Sequence, residues 1–344
     1  MHPIAFSNKI LPCDVTRAVV RNSPIVMWRG KDAVACLPDV CSHRGAQLSR
    51  GKITGAATVQ CPYHGWEFDQ RGTCVRVPQA RKDQYIPKAC HLRPWRVVES
   101  HGIVWVAPPA AKSTKAAETL YEMLDASRIT ERVPGFNERE HFVTDYTLDA
   151  KYSAELQIEN LLDPAHIHFV HNGFQGDEAK AGHIEAMDVT VDHANKILRG
   201  VFRHTGRTDI PVIDITYHWP SLVDVSIKDP QTLHTVRKNI IYVTPSTDTT
   251  CRVLFRDVAF KKYLVPDAGP LSFAHLLLSA PSIANTYQVV NETVVEAIMA
   301  QDIDILESQQ ANVSAAGSKY GCAYMLLTES DRLILEYRKV SKLW

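Results

Sequence analysis

Two short stretches constrain the fold of this chain more than any other feature: "CSHRG", which carries Cys41 and His43, and "CPYHGW", which carries Cys61 and His64. Each pairs a thiol with an imidazole two or three residues on and places a glycine, Gly45 or Gly65, just behind. Seventeen residues separate His43 from Cys61. Thiolates and imidazoles are metal ligands, and two couples that far apart can close on one centre. For that, each couple is expected at the tip of a strand-turn-strand loop, with the two loops gripping the centre from either side.

On ligand type alone zinc is the first candidate. Zinc fingers, however, group their cysteines and then their histidines, whereas each couple here is mixed. The mixed order suits a [2Fe–2S] cluster in which one iron takes both thiolates and the other both imidazoles, as in Rieske centres. Gly45 and Gly65 allow the close backbone approach that cluster sulfides require. Neutral imidazoles in place of two thiolates also leave less negative charge on the cluster, which raises its potential. Cys41, His43, Cys61 and His64 are therefore read as cluster ligands.

A cluster domain of this kind needs only part of the chain. With 344 residues there is room for one large or two ordinary domains and a substantial core. The 38 basic and 38 acidic residues cancel, which gives no sign of a nucleic-acid partner or a basic membrane-binding face. The longest apolar stretch, "LSFAHLLLSAPSIA" at 271–284, holds a histidine and a proline and falls short of the roughly 20 apolar residues of a spanning helix. A soluble protein without a transmembrane span is expected. The other cysteines, Cys13, Cys36, Cys74, Cys90, Cys251 and Cys322, are too sparse and irregular for a disulfide scaffold and read as buried, unpaired thiols.

The first hundred or so residues read as β-rich. "SPIVMWRG", "AVACLPDV", "TVQCPYHGWEFD", "TCVRVPQ" and "GIVWVAPP" are short β-branched and aromatic runs bounded by turn residues. "APPAAKSTKAAET" at 107–119 then breaks the pattern and reads as a domain boundary. Beyond it come a helical run near 150–171, strands such as "ILRGVFRHT", "DITYHW", "NIIYVTP" and "RVLFRDVAF", and a long helical stretch from about 285 to 310. The expectation is an α+β chain with a small β domain at 1–110 and a larger domain at 111–344.

The larger domain carries a second set of ligand types. "IENLLDPAHIHFVHN" at 158–172 holds Asp163, His166, His168 and His171. His166 and His171 with a carboxylate would form the 2-His-1-carboxylate triad of oxygen-activating ferrous enzymes. Five residues apart, they lie about 140° around a regular helix, so convergence needs a helix that ends or loosens there, and Gly173 is a suitable terminator. His168, about 200° from His166, reads as a packing or substrate-side residue. The carboxylate is sought in "VVNETVVEAIMAQDIDILESQQ" at 289–310. Val290, Val294 and Ile298 recur every four residues as an inward stripe, and Asp302 is its next member. A charge on an apolar face is costly unless a metal or a buried arginine compensates it. Asp304 and Glu307 leave that stripe.

With both constellations in place, the chain resembles the Rieske non-haem iron oxygenases along essentially its whole length. "CSHRG" with "CPYHGWEFD", then "NLLDPAHIHFVH", then "QDIDILESQQ" carry the resemblance. "CPYHGWEFDQRGTCVRVPQ", "IPKACHLRPWRVVESHGIVWV" and "ESDRLILEYRK" look most like the chlorophyll-metabolism branch, which includes pheophorbide a and chlorophyllide a oxygenases. The resemblance implies an all-β Rieske [2Fe–2S] domain followed by an antiparallel-sheet, helix-grip catalytic domain with a mononuclear Fe(II). It implies a monooxygenase fed by a ferredoxin and its reductase, and a homotrimer in which the aspartate at Asp163 bridges His166 to a neighbour's His64. The implied substrate is a hydrophobic organic molecule, expected to be a chlorophyll-type tetrapyrrole; a small aromatic or N- or O-methyl compound is the alternative. In a photosynthetic eukaryote the plastid stroma would follow, and otherwise the cytoplasm. A rival of another class is a Rieske electron carrier or redox sensor, which would not need His166, His171 and Asp302.

Overall fold

The computed structural model describes residues 1–31, 33–55, 57–81, 83–109, 141–173, 176–260, 281–317 and 325–342, with side chains in the last long helix from residue 290 on. Most of the expected boundary at 107–119 and Cys322 lie outside the described residues. The described chain falls into two compact units, 1–109 with Thr244–Asp248, and 141–243 with 249–342.

Three small antiparallel sheets make the first unit. β1 (His2–Phe6) pairs with β10 (Ile103–Ala107), which pairs with β9 (Arg96–Ser100). β2 (Val15–Val20), β3 (Ser23–Arg29) and β4 (Val34–Pro38) form the second sheet. β5 (Lys52–Ile53), β6 (Val59–Gln60), β7 (Glu67–Phe68) and β8 (Cys74–Arg76) form the third. Strand side chains alternate between faces, and in β3 and β4 both faces are buried, which is why "PIVMW" reads as one apolar run. Ile25, Met27, Val34 and Cys36 turn to a core shared with Ile4, Val104 and Val106. Val26, Trp28, Ala35 and Leu37 turn to a second core with Val59 and Phe68. Cys41 and Cys61 belong to that second core, so burial of the β-framework anchors both loops. Each large side chain buried there contributes about 1.5–3 kcal/mol.

The second unit is built on one seven-stranded antiparallel sheet. Its order is β11 (His141–Ala150), β17 (Cys251–Phe260), β16 (Thr235–Pro245), β15 (Leu222–Lys228), β14 (Val212–His218), β13 (Ile197–His204) and β12 (Ile184–Asp192). β12 to β17 run as a meander, and β11 returns to the outer edge of β17. Register there sets Asp145 opposite Arg256 and Asp149 opposite Arg252, and both pairs close as two-pronged ion pairs. Among the described residues four helices accompany the sheet: α1 (Ala154–Leu161), α2 (Ile167–Val170), α3 (Pro281–Ala316) and α4 (Arg332–Val340). Leu156 of α1, Val295 and Met299 of α3 and Leu333 and Tyr337 of α4 share one core with Leu198, Phe202, Ile215 and Ile241 of the sheet. Among the described residues no helix is long and apolar enough to cross a membrane.

Three expectations need correction. The helical run near 150–171 is a strand end and two short helices, because Asp163 precedes Pro164, which disfavours helical backbone at Asp163. The stripe on α3 does not include Val290, which is 56% exposed; the buried positions are Asn291, Val295, Ile298, Met299, Asp302, Leu306 and Gln310. Four residues turn a helix by about 400°, so a strict step of four drifts about 40° each time. Traced back from Asp302, three steps of four end about 120° away, and three turns of 3.6 end at Asn291. Finally, Cys13 is exposed and Cys90 half-buried, so of the described spare cysteines only Cys36, Cys74 and Cys251 are buried.

Candidate metal centres

The two Cys-His loops are built alike. Cys41 N–H donates to the Ala46 carbonyl at 2.8 Å and Cys61 N–H to the Trp66 carbonyl at 2.8 Å. Each cysteine carbonyl in turn accepts from the glycine four residues on, Gly45 at 2.9 Å and Gly65 at 3.1 Å. Both glycines have φ near +70°, where a Cβ would be strained. The second loop closes the β6–β7 hairpin, as expected of a strand-turn-strand loop. The first does not: it leaves β4 of one sheet and reaches β5 of another through a 3₁₀ turn, Leu48–Arg50. Both sulfurs are buried, while the His43 and His64 rings stand together with centroids 4.6 Å apart. Burial, with Cys61 beside it, pushes the Cys41 thiol up to about 11. Paired buried thiols under paired imidazoles match the donor set of a [2Fe–2S] centre with mixed ligation, and metal binding would hold the thiols as thiolates. Trp66 lies flat on His43 at 4.5 Å between centroids, and Gln79 Nε2 donates to the His64 carbonyl at 2.8 Å.

In the second unit, α1 starts at Ser153, whose side chain accepts from Leu156 N–H at 3.3 Å, and stops before Asp163 and Pro164. α2 is a single turn flanked by His166 and His171, and Gly173 follows at φ +84. The loosened helix lets the two histidines converge: their rings meet edge to face at 5.2 Å. Asp302 comes from α3. Its Oδ1 lies 3.9 Å from His166 Nε2 and its Oδ2 3.5 Å from His171 Nε2. All three donor atoms fall within 4.8 Å of one another. Those separations are long for hydrogen bonds and suit ligands each about 2.0–2.2 Å from one ion. Asn160 Nδ2 donates to Asp302 Oδ1 at 3.2 Å, and Gln301 Oε1 lies 3.1 Å from His171 Nδ1. His166 Nδ1 is held by the Asp163 carbonyl. Such outer contacts orient ligands and fix their tautomers. Burial works against a charged His171, but the Asp302 carboxylate beside it reverses this and lifts its pKa.

Asp163 accepts from Ala165 N–H at 2.7 Å, its Oδ2 is 3.9 Å from His166 Nδ1, and burial raises its pKa. His168 stands apart from the triad. It receives the Asp177 N–H on Nδ1 at 3.2 Å, and its Nε2 lies 3.0 Å from His204 Nε2. Asp304 is exposed and Glu307 half-buried. The sequence reading missed Asn160 and Gln301, although both lie within stretches already singled out, Gln301 directly before Asp302.

A cavity of about 80 Å³ opens beside the triad, lined by Ile213, Ile215, Val225, Phe255 and Met299 among others. A larger one of about 310 Å³ contains His168 and His204. Pro164, Ile167, Ile213 and Arg237 line both.

Residues 1–97 match the family model of the Rieske [2Fe-2S] domain, and residues 149–344, more than half the chain, match that of the vanillate O-demethylase oxygenase C-terminal domain. Protein TIC 55, chloroplastic, from Arabidopsis thaliana is 34% identical over 154 residues, 44% of this chain and 26% of that protein. Pheophorbide a oxygenase, chloroplastic, from Oryza sativa subsp. japonica is 30% identical over 188 residues, 52% of this chain and 34% of that one. The match thus spans only about a quarter to a third of the length of these curated relatives. The crystal structure of dicamba monooxygenase bound to dicamba shares the fold, with a TM-score of 0.75 at 20% identity over 99% of this chain and 96% of that one. The chain belongs to the Rieske non-haem iron oxygenases, with a Rieske [2Fe–2S] domain followed by a catalytic domain of the vanillate O-demethylase type.

Proposed function

We propose that this chain is the oxygenase component of a monooxygenase, inserting one atom of O2 into a hydrophobic organic substrate and releasing the other as water. The cluster domain is assigned to 1–110 and the catalytic domain to 111–344. The observation that carries the reading is the convergence of half-buried His166 with buried His171 and Asp302 beside a largely apolar cavity. An electron carrier would need the Cys-His loops but not this second set. Ferrous iron, if held there by His166, His171 and Asp302, would supply oxygen activation. Asn160 and Gln301 keep Asp302 and His171 oriented, and the apolar lining keeps water from the reacting carbon.

Cys41, His43, Cys61 and His64 would hold the cluster, which carries one electron at a time. Two are needed for each oxygen inserted, so an external ferredoxin and its reductase are the proposed source. Asp163 is the proposed electron bridge, linking His166 to the partner subunit's His64 in a homotrimer. A chlorophyll-type tetrapyrrole is the substrate supported by the likeness to pheophorbide a oxygenase, and a plastid setting would go with it. The two cavities, about 80 and 310 Å³, support a second reading: a smaller aromatic or N- or O-methyl compound. Turnover under ¹⁸O2 across a panel from chlorins to methoxyarenes tests both. One labelled oxygen in a product, or in the formaldehyde of a demethylation, is expected. Full cluster reduction with no incorporation from any substrate would leave the electron carrier.

A further inference from the structure

The single turn of α2 serves two cavities. His166 and His171, which flank it, line the smaller one, and His168, about 200° round from His166, lines the larger one of about 310 Å³. Pro164, Ile167, Ile213 and Arg237 belong to both walls, so a molecule held in the larger cavity lies next to the triad. Ligand pockets run from about 300 to 1,000 Å³ and are mostly apolar, with a few placed polar groups. The larger cavity fits that pattern: among its described lining residues only His168, His204 and Arg237 are not apolar. Arg237 adds little net charge, because its Nε and Nη2 close on the buried Asp257 carboxylate at 2.6 and 2.9 Å.

The two histidines form an oriented chain. Gly176 packs so closely on α2 that a Cβ there would run into the Ile167 carbonyl oxygen. This seats the next residue, Asp177, with its N–H directed at His168 Nδ1 at 3.2 Å. The Asp177 carbonyl is near as well, at 3.1 Å, but an N–H aimed at Nδ1 leaves no room for a hydrogen on that nitrogen. The His168 hydrogen therefore sits on Nε2 and is donated to His204 Nε2 at 3.0 Å. That places the His204 hydrogen on Nδ1. His204 is only 7% exposed, and its Nδ1 is buried without a hydrogen-bond partner among the described residues. Burial, then the His168 ring and the Arg207 guanidinium, hold the His204 pKa below its usual value, so the ring is a neutral donor. A buried N–H without an acceptor is destabilising and rare in folded proteins.

We propose that the larger cavity takes a neutral, largely apolar molecule with one acceptor oxygen, a ketone or an ether, and that His204 Nδ1–H binds that oxygen. The carbon to be oxidised then lies beside the triad, and this last clause rests on the oxygenase reading given under Proposed function. His204 is the specificity-determining residue, and His168 holds it in the tautomer that donates. A carboxylate is disfavoured. The cation in the described lining is already matched by Asp257, and burying a charge among apolar walls costs far more than burying a neutral oxygen.

The test is equilibrium dialysis of the holoprotein, without O2, against matched arenes of one, two and three fused rings. Each ring size is offered as the acetyl compound, its isopropenyl isostere and the corresponding carboxylate. In at least one size the ketone should bind at least tenfold more tightly than both partners. His204→Phe keeps a ring without an N–H, and the amide nitrogen of His204→Gln falls where Nε2 lay; both should bind ketone and isostere within about threefold of each other. His204→Asn, whose amide nitrogen falls where Nδ1 lay, should keep most of the preference. The wild-type comparison decides even where a variant does not fold. Equal affinity of ketone and isostere in every size, which would mean that water fills the Nδ1 site, overturns the proposal, and so does no binding by any compound. A carboxylate that binds more tightly than its ketone, or a ketone preference that survives in folded His204→Phe, overturns it too. Binding without O2 needs no turnover, so a ketone that binds as expected and is never oxygenated counts against the enzymatic reading and leaves the cavity assignment standing.

Discussion

Asn291→Leu removes the side chain that bonds α3 to the sheet. Asn291 Nδ2 donates to Thr144 Oγ1 at 2.7 Å and to Asp257 Oδ2 at 2.9 Å, and its Oδ1 accepts from Arg237 Nη2 at 3.0 Å. Asp257 is fully buried and is also held by Arg237 and Asn239. Leucine keeps the same branched skeleton, though its methyl groups are bulkier, so the loss is chiefly of bonds. A hydrogen bond to a charged group is worth about 1.5–3 kcal/mol, and the buried Thr144 hydroxyl left short of a donor costs about 1–3 more. The expected destabilisation is about 3–5 kcal/mol, against about 5–15 for a whole domain. It also reaches the site. Asn291 and Asp302 are eleven residues apart, about three helical turns and within about 20° of the same face, so a helix that slips at one end carries Asp302 with it. Urea unfolding should show the loss of stability, and Fe(II) titration at least a tenfold weaker mononuclear site. Val290→Ala, on the exposed face, should stay within about 0.5 kcal/mol. Wild-type stability and iron affinity in Asn291→Leu would show that this network does not seat the helix.

Three further outcomes follow from the same contacts. Cys61→Ser should abolish the visible absorption and the rhombic reduced spectrum of a Rieske centre; a normal spectrum would refute the ligand assignment. Asp163→Asn should keep both metals while single-turnover electron transfer slows sharply, whereas loss of the mononuclear iron alone would make Asp163 a ligand. Burial works to raise the pKa of Asp214, but its bonds to Arg199 and Lys228 prevail and lower it below the usual carboxylate value. That stabilisation is therefore present above about pH 3.8 and is lost as pH falls through the lower folded value. Asp214→Asn should be less stable than wild type at neutral pH and converge with it in acid, and parallel curves down to pH 2 in thermal scans would contradict this.

What the sequence disclosed depended on how local the chemistry is. The Cys-His loops were legible because each is closed by backbone bonds within six residues, with thiol, imidazole and glycine in one short window. The convergence of His166 and His171 was legible from Gly173, which ends the helical turn just behind them, whereas the break that Pro164 makes in the expected helical run was not. That Asp302 turns inward beside the histidines was legible from a stripe whose first member, Val290, faces outward; the step of four drifts, yet Ile298 and Asp302 are close enough together for the error to stay small. The Arg237–Asp257–Asn291–Thr144 network was not legible, since strand pairing and the seating of α3 on the sheet bring together residues up to 147 positions apart and none has a local signature.

The most direct measurement is metal content and visible spectrum of Asp302→Ala beside wild type and Asp304→Ala. Wild type should hold about three irons per chain, two in a [2Fe–2S] cluster and one more. Asp302→Ala should hold about one fewer, keep its Rieske spectrum and lose oxygenation, while the exposed Asp304→Ala should match wild type. Wild-type iron content in Asp302→Ala, or a loss confined to Asp304→Ala, would contradict a mononuclear centre at His166, His171 and Asp302.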